Sequence, residues 1–307
     1  MSRVFLAYDE KLNREVAIKI LNPDLTEFPF FVEKFYQEVQ NLSKFNHPNI
    51  VTIHDSSSRG AQKCWLVTEY VQGATLDDLV HNTVNNRLHP IVATMLVAEI
   101  AKVLISIHRQ GVIHQDIKLS NIMVTRKGQI KLLDFGLSNN LDDTHVSGEK
   151  HMMGTPRYMS PEQINGQALD HRTDIFSLVV VFYRLVTGKF PFRGSTDAEI
   201  YYENSKGAMR QPSTGFPHIN KLLIKGLVQN KNKRIQSTMV LAYSLDFILN
   251  RYGFRDSSVE IVEFFSDKRR FFRRLSRQCP DNTVVSSRRR ARVAIRSHKN
   301  RRSNGIA

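Results

Sequence analysis

The chain has 307 residues, 41% of them hydrophobic and 24% charged, which excludes an intrinsically disordered protein and allows a large core. The net charge is +15, but residues 251–307 hold 16 Lys and Arg against 5 Asp and Glu, so the excess is concentrated there. The two cysteines, Cys64 and Cys279, lie too far apart for a paired zinc motif or a disulfide framework.

No targeting or membrane-spanning segment is indicated. Acidic residues follow Met1 before any apolar stretch long enough for a secretory signal. The longest apolar run, 175–186, is too short to cross a bilayer and contains Arg184, so it predicts a buried helix. With few cysteines, these features indicate a cytoplasmic protein.

The elements change from strands to helices along the chain. Alternating apolar residues at 4–6 and 16–20 flank the turn-prone segment 9–14 and predict a hairpin. Apolar residues at helical spacing then predict an amphipathic helix over 31–45. Further segments are predicted as strands at 51–53 and 65–71 and as helices at 76–80, 91–109 and 176–187.

Two charged residues accompany the first elements. Lys19 ends the strand motif Val16-Ala17-Ile18-Lys19, and Glu38 lies beside the apolar stripe of the next helix. A lone lysine there is more often a solvated strand end than a ligand. An ion pair with Glu38, however, is the arrangement that holds an ammonium group against nucleotide phosphates.

A longer polar motif runs from His114 to Asn121, and Asp134-Phe135-Gly136 follows it after a strand, a turn and a second strand. Taken singly, each aspartate is better explained as a turn or helix cap. Jointly, and in order with Lys19 and Glu38, these residues resemble the eukaryotic-type protein kinases and in particular their bacterial Ser/Thr branch. The resemblance covers about residues 1–250.

The resemblance implies an α+β, bilobal fold with a small antiparallel N-lobe sheet carrying one helix and a larger, mainly helical C-lobe. It implies ATP and Mg²⁺ as cofactors and phosphoryl transfer to Ser or Thr of a protein substrate. Asp116 would orient the acceptor hydroxyl and accept its proton, and Lys118 would neutralise the transferred phosphoryl group. Asn121 and Asp134 would hold magnesium.

The remaining nucleotide residues are also assigned by the resemblance. Thr68 would be the gatekeeper, and Glu69 and Val71 would offer backbone groups to adenine at the hinge. Val4 and Ala17 would complete the nucleotide pocket around Lys19 and Glu38.

The segment from Gly154 to Glu162 resembles the end of a kinase activation segment. Asp174 stands where the family has a helix-anchoring aspartate, and Arg234 stands where it has the partner of Glu162.

Three departures from the family pattern bear on activity. Val4 occupies the last position of the glycine loop, so two of its glycines fall before Met1, and the first strand and part of the loop are expected to be missing from this chain. Gln115 replaces the usual arginine and cannot pair with an activation-loop phosphate. Leu119 replaces a proline and is expected to change only loop stiffness.

The sequence predicts three regions: an N-lobe at 1–71, a C-lobe at 72–250 and a basic tail at 251–307. Residues 259–275 predict a basic amphipathic helix, and the arginine-rich remainder is expected to be disordered. The tail is either simply solvated, a juxtamembrane remnant, or a contact for an acidic protein, anionic lipid or, with less support, nucleic acid. An active Ser/Thr kinase is predicted, and a catalytically silent kinase-like binding module is the alternative.

Overall fold

The predicted hairpin forms the start of the small sheet in a computed structural model, which describes residues 2–135, 139–140 and 155–279. Its strands are β1 (Ser2–Asp9) and β2 (Arg14–Leu21), paired antiparallel, with Asn13 in the left-handed region at φ 52° between them. Strands β3 (Ile53–Ser56) and β4 (Trp65–Glu69) complete an antiparallel sheet of order β1-β2-β4-β3.

One part of the strand prediction is wrong. The strand predicted at 51–53 begins at Ile53, because the residues before it pair elsewhere. Ile50 forms a parallel bridge with Leu132, and Val51 N donates to Leu132 O at 3.0 Å. This segment therefore ties the small sheet to the larger lobe.

Two helices cross the small lobe, α1 (Pro23–Thr26) and α2 (Pro29–Ser43). The strands of the larger lobe are β5 (Gly73–Thr75), β6 (Val112–Ile113), β7 (Ile122–Thr125), β8 (Ile130–Leu132) and β9 (Asn139–Asn140). They form a three-stranded sheet of order β5-β7-β8 and a two-stranded pairing of β6 with β9.

The helices of the larger lobe are α3 (Leu76–His81), α4 (Pro90–Arg109), α5 (Pro161–Ile164), α6 (Arg172–Thr187), α7 (Asp197–Lys206), α8 (Pro217–Gly226) and α9 (Thr238–Arg251). Helices α4 and α6 are buried along nearly their whole length and form the centre of the core. Among the residues the structure describes, α4 alone is long and apolar enough to span a membrane, and 78% of its apolar window is buried inside the fold. It is therefore explained as a core helix.

The helix predicted over 259–275 is two helices, α10 (Ser257–Ser266) and α11 (Lys268–Gln278). Asp267, at φ −143° and ψ 84°, ends the first, and its side chain accepts from Arg270 N to cap the second. Phe264 and Phe271 pack on each other, and α10 packs on α4. The described part of the tail thus joins the C-lobe core.

Several predicted features lie outside the described residues. They are Gly136, Gly154 and the arginine-rich segment 288–302.

Candidate active site

A lysine in the small sheet is held by two carboxylates from distant parts of the chain. Lys19 Nζ, on β2, donates to both carboxylate oxygens of Glu38, on α2, at 2.6 and 2.7 Å. It also lies 3.1 Å from Oδ1 of Asp134, just beyond β8. Burial opposes the ammonium charge, but the two carboxylates outweigh it and raise the pKa of Lys19. The predicted ion pair with Glu38 is confirmed.

Helix α2 fixes the position of Glu38 by packing its apolar residues on the lobe. Phe35 and Leu42 are buried on either side of Glu38, which is itself only 4% exposed. Burial, together with the charge of Asp134, raises the pKa of Glu38 to about 8, while Lys19 acts against that rise. The ionised form of Glu38 therefore depends on Lys19 remaining beside it.

Three further predicted nucleotide residues share a sheet face with Lys19. Val4, on β1, is directly opposite Lys19, and Ala17 is opposite Thr68 of β4. Paired residues, and residues two apart on one strand, present their side chains to the same face. The register therefore brings Val4, Ala17, Lys19 and Thr68 together.

The polar loop after β6 gathers three of the predicted residues. Lys118 Nζ donates to Asp116 Oδ2 at 2.6 Å, and Asn121 Nδ2 donates to the same oxygen at 2.9 Å. Asn121 Nδ2 also donates to Asp116 O at 3.0 Å, which ties the loop to itself. Burial raises the pKa of Asp116, and the charge of Lys118 limits the rise.

A buried aspartate supports this loop from beneath. Asp174, on α6, accepts from His114 N at 2.9 Å and from Gln115 N at 2.8 Å. Gln115 has a φ of 65°, an unfavourable region for a residue with a side chain, so these two hydrogen bonds hold a strained turn. His108 Nε2 lies 2.7 Å from Asp174 Oδ2 and completes the network.

The segment carrying Asp134 is fixed by an aromatic contact. Phe135 is fully buried, with its ring centroid 4.6 Å from that of His114 and 5.3 Å from that of Phe45. Asp134 has a φ of 52°, and Leu133 N donates to Asn121 O at 2.8 Å. The loops that carry Asn121 and Asp134 are therefore bonded side by side.

The predicted pair of Glu162 and Arg234 is also confirmed. The guanidinium donates to both carboxylate oxygens at 2.7 and 2.9 Å, and both residues are buried. Thr173 Oγ1 adds a third donor to Glu162 at 3.0 Å. Hydrogen bonds from Arg234 outweigh burial and hold the pKa of Glu162 below its usual range.

The predicted hinge residues lie at the end of β4, Glu69, and just beyond it, Val71. Glu69 N donates to Thr52 O at 2.9 Å, and the Glu69 carboxylate accepts from Lys131 Nζ at 2.6 Å. Val71 is buried. Lys131 lies on β8, so the hinge is tied to both lobes, and its contacts to adenine stay a prediction.

The residues present fit a divalent cation in their chemistry. Carboxylate and amide oxygens are the ligands that Mg²⁺ takes in proteins, and Asp134 and Asn121 supply one of each on adjacent loops. Both hydrogen bonds that fix the Asn121 amide use its nitrogen. Across residues 2–135, 139–140 and 155–279 no group of three or more His, Cys, Asp and Glu forms a metal cluster.

Sequence reasoning missed three contributors to this site. His108 binds Asp174, Lys131 binds Glu69, and Gln163 Nε2 donates to Gln115 O at 3.0 Å. Each is a polar residue near an apolar stretch. Of the three, only Gln163 could have been identified from the sequence, because its position three residues after Ser160 is that of a helix capping box.

Comparison with known proteins agrees with this geometry. Residues 1–245 match the protein kinase domain family. The chain is 35% identical to the serine/threonine-protein kinase PknB of Mycolicibacterium smegmatis over 246 residues, 77% of this chain and 39% of that protein. It is 36% identical to PknB of Mycobacterium leprae over 245 residues, with the same coverage of 77% and 39%.

A probable serine/threonine-protein kinase PknB of Bifidobacterium longum is 35% identical over 232 residues, 72% of this chain and 33% of that protein. The fold and the site define a protein kinase catalytic domain. The chain belongs to the protein kinase family, on its bacterial serine/threonine branch. It spans well under half the length of these relatives.

Proposed function

We propose that this chain transfers the γ-phosphoryl group of ATP to serine and threonine hydroxyls of proteins. The observation that carries the proposal is the presence of two polar clusters in one site. In the first, Lys19 bridges Glu38 and Asp134. In the second, Asp116, Lys118 and Asn121 form one hydrogen-bonded loop. A silent binding module is not favoured, because it has no need for both clusters together.

The roles follow from charge and position. Asp116 accepts a hydrogen bond from the acceptor hydroxyl and then its proton, and Lys118 places a positive charge beside it. Lys19 holds the nucleotide phosphates, and Glu38 keeps the ammonium in place. Val4, Ala17 and Thr68 line the base-binding face, and Glu69 and Val71 contact adenine through their backbone.

Magnesium is proposed as the metal, with Asn121 and Asp134 as the residues that hold it. When bound, the ion supplies positive charge that offsets the charge of the phosphate oxygens. The chain's own part is to keep the two oxygen donors on bonded, adjacent loops.

The domain limits and surroundings are proposals as well. We assign an N-lobe to 1–71, a C-lobe to 72–250 and a basic tail to 251–307, in a protein of the cytoplasm. Exposed Lys268, Arg269 and Arg273 on α11 leave the tail a basic face, suited to an acidic protein or anionic lipid and less to nucleic acid.

The test is phosphorylation of a generic protein substrate with ATP and Mg²⁺, with phosphoserine and phosphothreonine identified by mass spectrometry. Lys19→Met should lose transfer while keeping the fold. Lys11→Met removes an exposed lysine and should leave the rate unchanged. Equal rates for wild type and a folded Lys19→Met variant would contradict the proposal.

A further inference from the structure

A group of cations that has no carboxylate partner among the described residues surrounds the connection between α6 and α7. Of the ion pairs in the described part of the chain, none includes any of these residues. We call them the basic cluster, and its members are Arg87, Arg157, Arg184, Lys189, Arg193 and Arg210. Elsewhere in the same lobe the buried Arg234 is paired with Glu162.

Four members line one open cavity of about 650 Å³, namely Arg87, Lys189, Arg193 and Arg210. Tyr183, Thr187, Gln211 and Ser213 add polar groups, and none of the described residues that line it carries a carboxylate. Like charges gathered without counter-ions repel one another, at a cost that a bound anion removes.

The position of Arg210 is fixed rather than incidental. Its backbone N donates to Pro191 O at 2.9 Å, and its carbonyl accepts from the buried Tyr183 hydroxyl at 2.9 Å. Its Nε is buried and has no hydrogen-bond partner among the described residues. A buried donor left unsatisfied costs stability, so a ligand oxygen at this point would recover that cost.

The other two members flank the aromatic ring of Phe190. Arg157 Cζ lies 5.1 Å and Arg184 Cζ 5.6 Å from the ring centroid. Within the described part of the chain, each guanidinium donates to one backbone oxygen, of Gly194 and Asn86 respectively. Arg184 is 8% exposed. Asp77 acts electrostatically on Tyr158, as both arginines do, and it lies 3.6 Å from His81.

Contacts connect this cluster to the catalytic loop. Phe190 packs on Tyr158 with ring centroids 5.3 Å apart. Tyr158 in turn interacts with the backbone of Leu119 and with the charges of Arg184 and Arg157. Leu119 is three residues beyond Asp116, so these contacts lead from the cluster to the catalytic loop.

We propose that the basic cluster binds acidic residues that flank the acceptor serine or threonine, so that the preferred substrates are acidic protein segments. This inference rests on the proposed kinase function, which makes the serine or threonine of the bound segment the phosphate acceptor. Binding of the acidic segment itself requires no catalysis. The chemistry is that of oxyanions, either the carboxylates of Asp and Glu or the phosphate of a residue phosphorylated beforehand.

The first measurement is binding without ATP, by fluorescence anisotropy. The probe is a labelled peptide with alanine at the acceptor position and Glu and Asp around it. Matched peptides carry Gln and Asn, or phosphoserine, at the flanking positions. We expect the acidic peptide to bind at least about tenfold more tightly than the neutral one, equivalent to one charge-assisted hydrogen bond, and the difference to shrink with salt.

Variants locate the site. Arg210→Gln and Arg193→Glu should each weaken binding of the acidic peptide about tenfold and leave the affinity for the neutral peptide unchanged. Lys225→Glu is the control, because Lys225 is an exposed cation on α8 outside the cluster. If Lys225→Glu weakened binding of the acidic peptide equally, the effect would come from the net charge of the protein, and the assignment of the site to the basic cluster would be wrong.

The second measurement uses the same sequences with serine restored as acceptor. Wild type should show a lower KM for the acidic peptide at similar kcat, and Arg193→Glu should abolish that advantage. If no peptide is phosphorylated yet Arg193-dependent binding persists, the kinase proposal fails and the binding site stands. If phosphorylation proceeds with equal KM on acidic and neutral peptides, the substrate inference fails and the kinase proposal stands. Tighter binding of the phosphoserine peptide than of the Glu peptide would identify phosphate as the preferred anion.

Discussion

The catalytic cluster and the layer beneath it are both made of carboxylates paired with basic side chains, but they differ in exposure. The side chains of Asp116 and Asp134 are 11% and 36% exposed, whereas those of Glu162 and Asp174 are 2% and 0% exposed. The carboxylates of Glu162 and Asp174 accept hydrogen bonds from neighbouring parts of the chain. Asp116 and Asp134 remain partly accessible to a substrate. Removing the charge of either should therefore lower the catalytic rate, whereas removing the charge of Glu162 or Asp174 should lower the stability of the fold.

The largest expected effect is the loss of catalytic rate on changing the outer layer, Asp116 and Asp134. Asp116→Asn removes the proton acceptor but keeps the shape, so kcat should fall roughly 10²–10⁴-fold, the usual contribution of such a group. The midpoint of thermal unfolding should stay unchanged. Asp55→Asn, at an exposed position of β3, is the matched control. A variant that keeps its rate would remove Asp116 from the chemistry.

The inner layer should respond in stability. Glu162→Gln leaves the buried guanidinium of Arg234 without its counter-ion, which should lower the free energy of unfolding by about 3–5 kcal/mol. Urea denaturation measures it. The double variant Glu162→Gln with Arg234→Met should lose less than the sum of the single losses, because neither charge remains unpaired. Strict additivity would show that the two residues do not act as a pair.

The pH dependence of kcat gives a finer comparison. Asp116 acts as a carboxylate, and its pKa is raised by burial, so the acid limb of the profile should lie above the range of an ordinary aspartate. Lys118→Met removes the charge that limits this rise, so the limb should move to still higher pH. Lys63→Met, at an exposed site, should leave it in place. A limb that moves to lower pH in Lys118→Met would contradict the assignment.

The smallest effect concerns phosphorylation outside the described residues. Gln115 has its backbone fixed by Asp174 and Gln163, but its side chain is neutral and cannot pair with a phosphate on Thr144 or Ser147. Initial rates of phosphatase-treated and autophosphorylated enzyme should therefore be nearly equal.

A Gln115→Arg variant supplies the missing guanidinium and should make the rate depend on phosphorylation. A large drop on dephosphorylating the natural sequence would show that another cation reads the phosphate.

The outer layer was predictable because its chemistry dictates residue type as well as order. Lys19, Asp116, Asn121 and Asp134 were predicted from their motifs, and their roles stay predictions. The Lys19–Glu38 pair, predicted from the helical position of Glu38, is observed. The pairing of Glu162 with Arg234 was likewise predicted from the family resemblance.

The misses have tertiary causes. The partner of Asp174, His108, lies on an apolar helix where a histidine gives no local signal. The strand predicted from residue 51 starts later because Val51 bonds to β8. The break at Asp267 was missed because the apolar periodicity continues through it, whereas the aspartate side chain caps a new helix.

The most direct test of the account is Asp134→Asn, assayed for phosphoryl transfer to protein serine and threonine across a range of Mg²⁺ concentrations. The substitution keeps the size of the side chain and removes the charge opposite Lys19. We predict that wild type requires Mg²⁺ and that the variant, with an unchanged thermal midpoint, shows no transfer at any Mg²⁺ concentration. A folded Asp134→Asn variant that works at the wild-type rate would contradict the account.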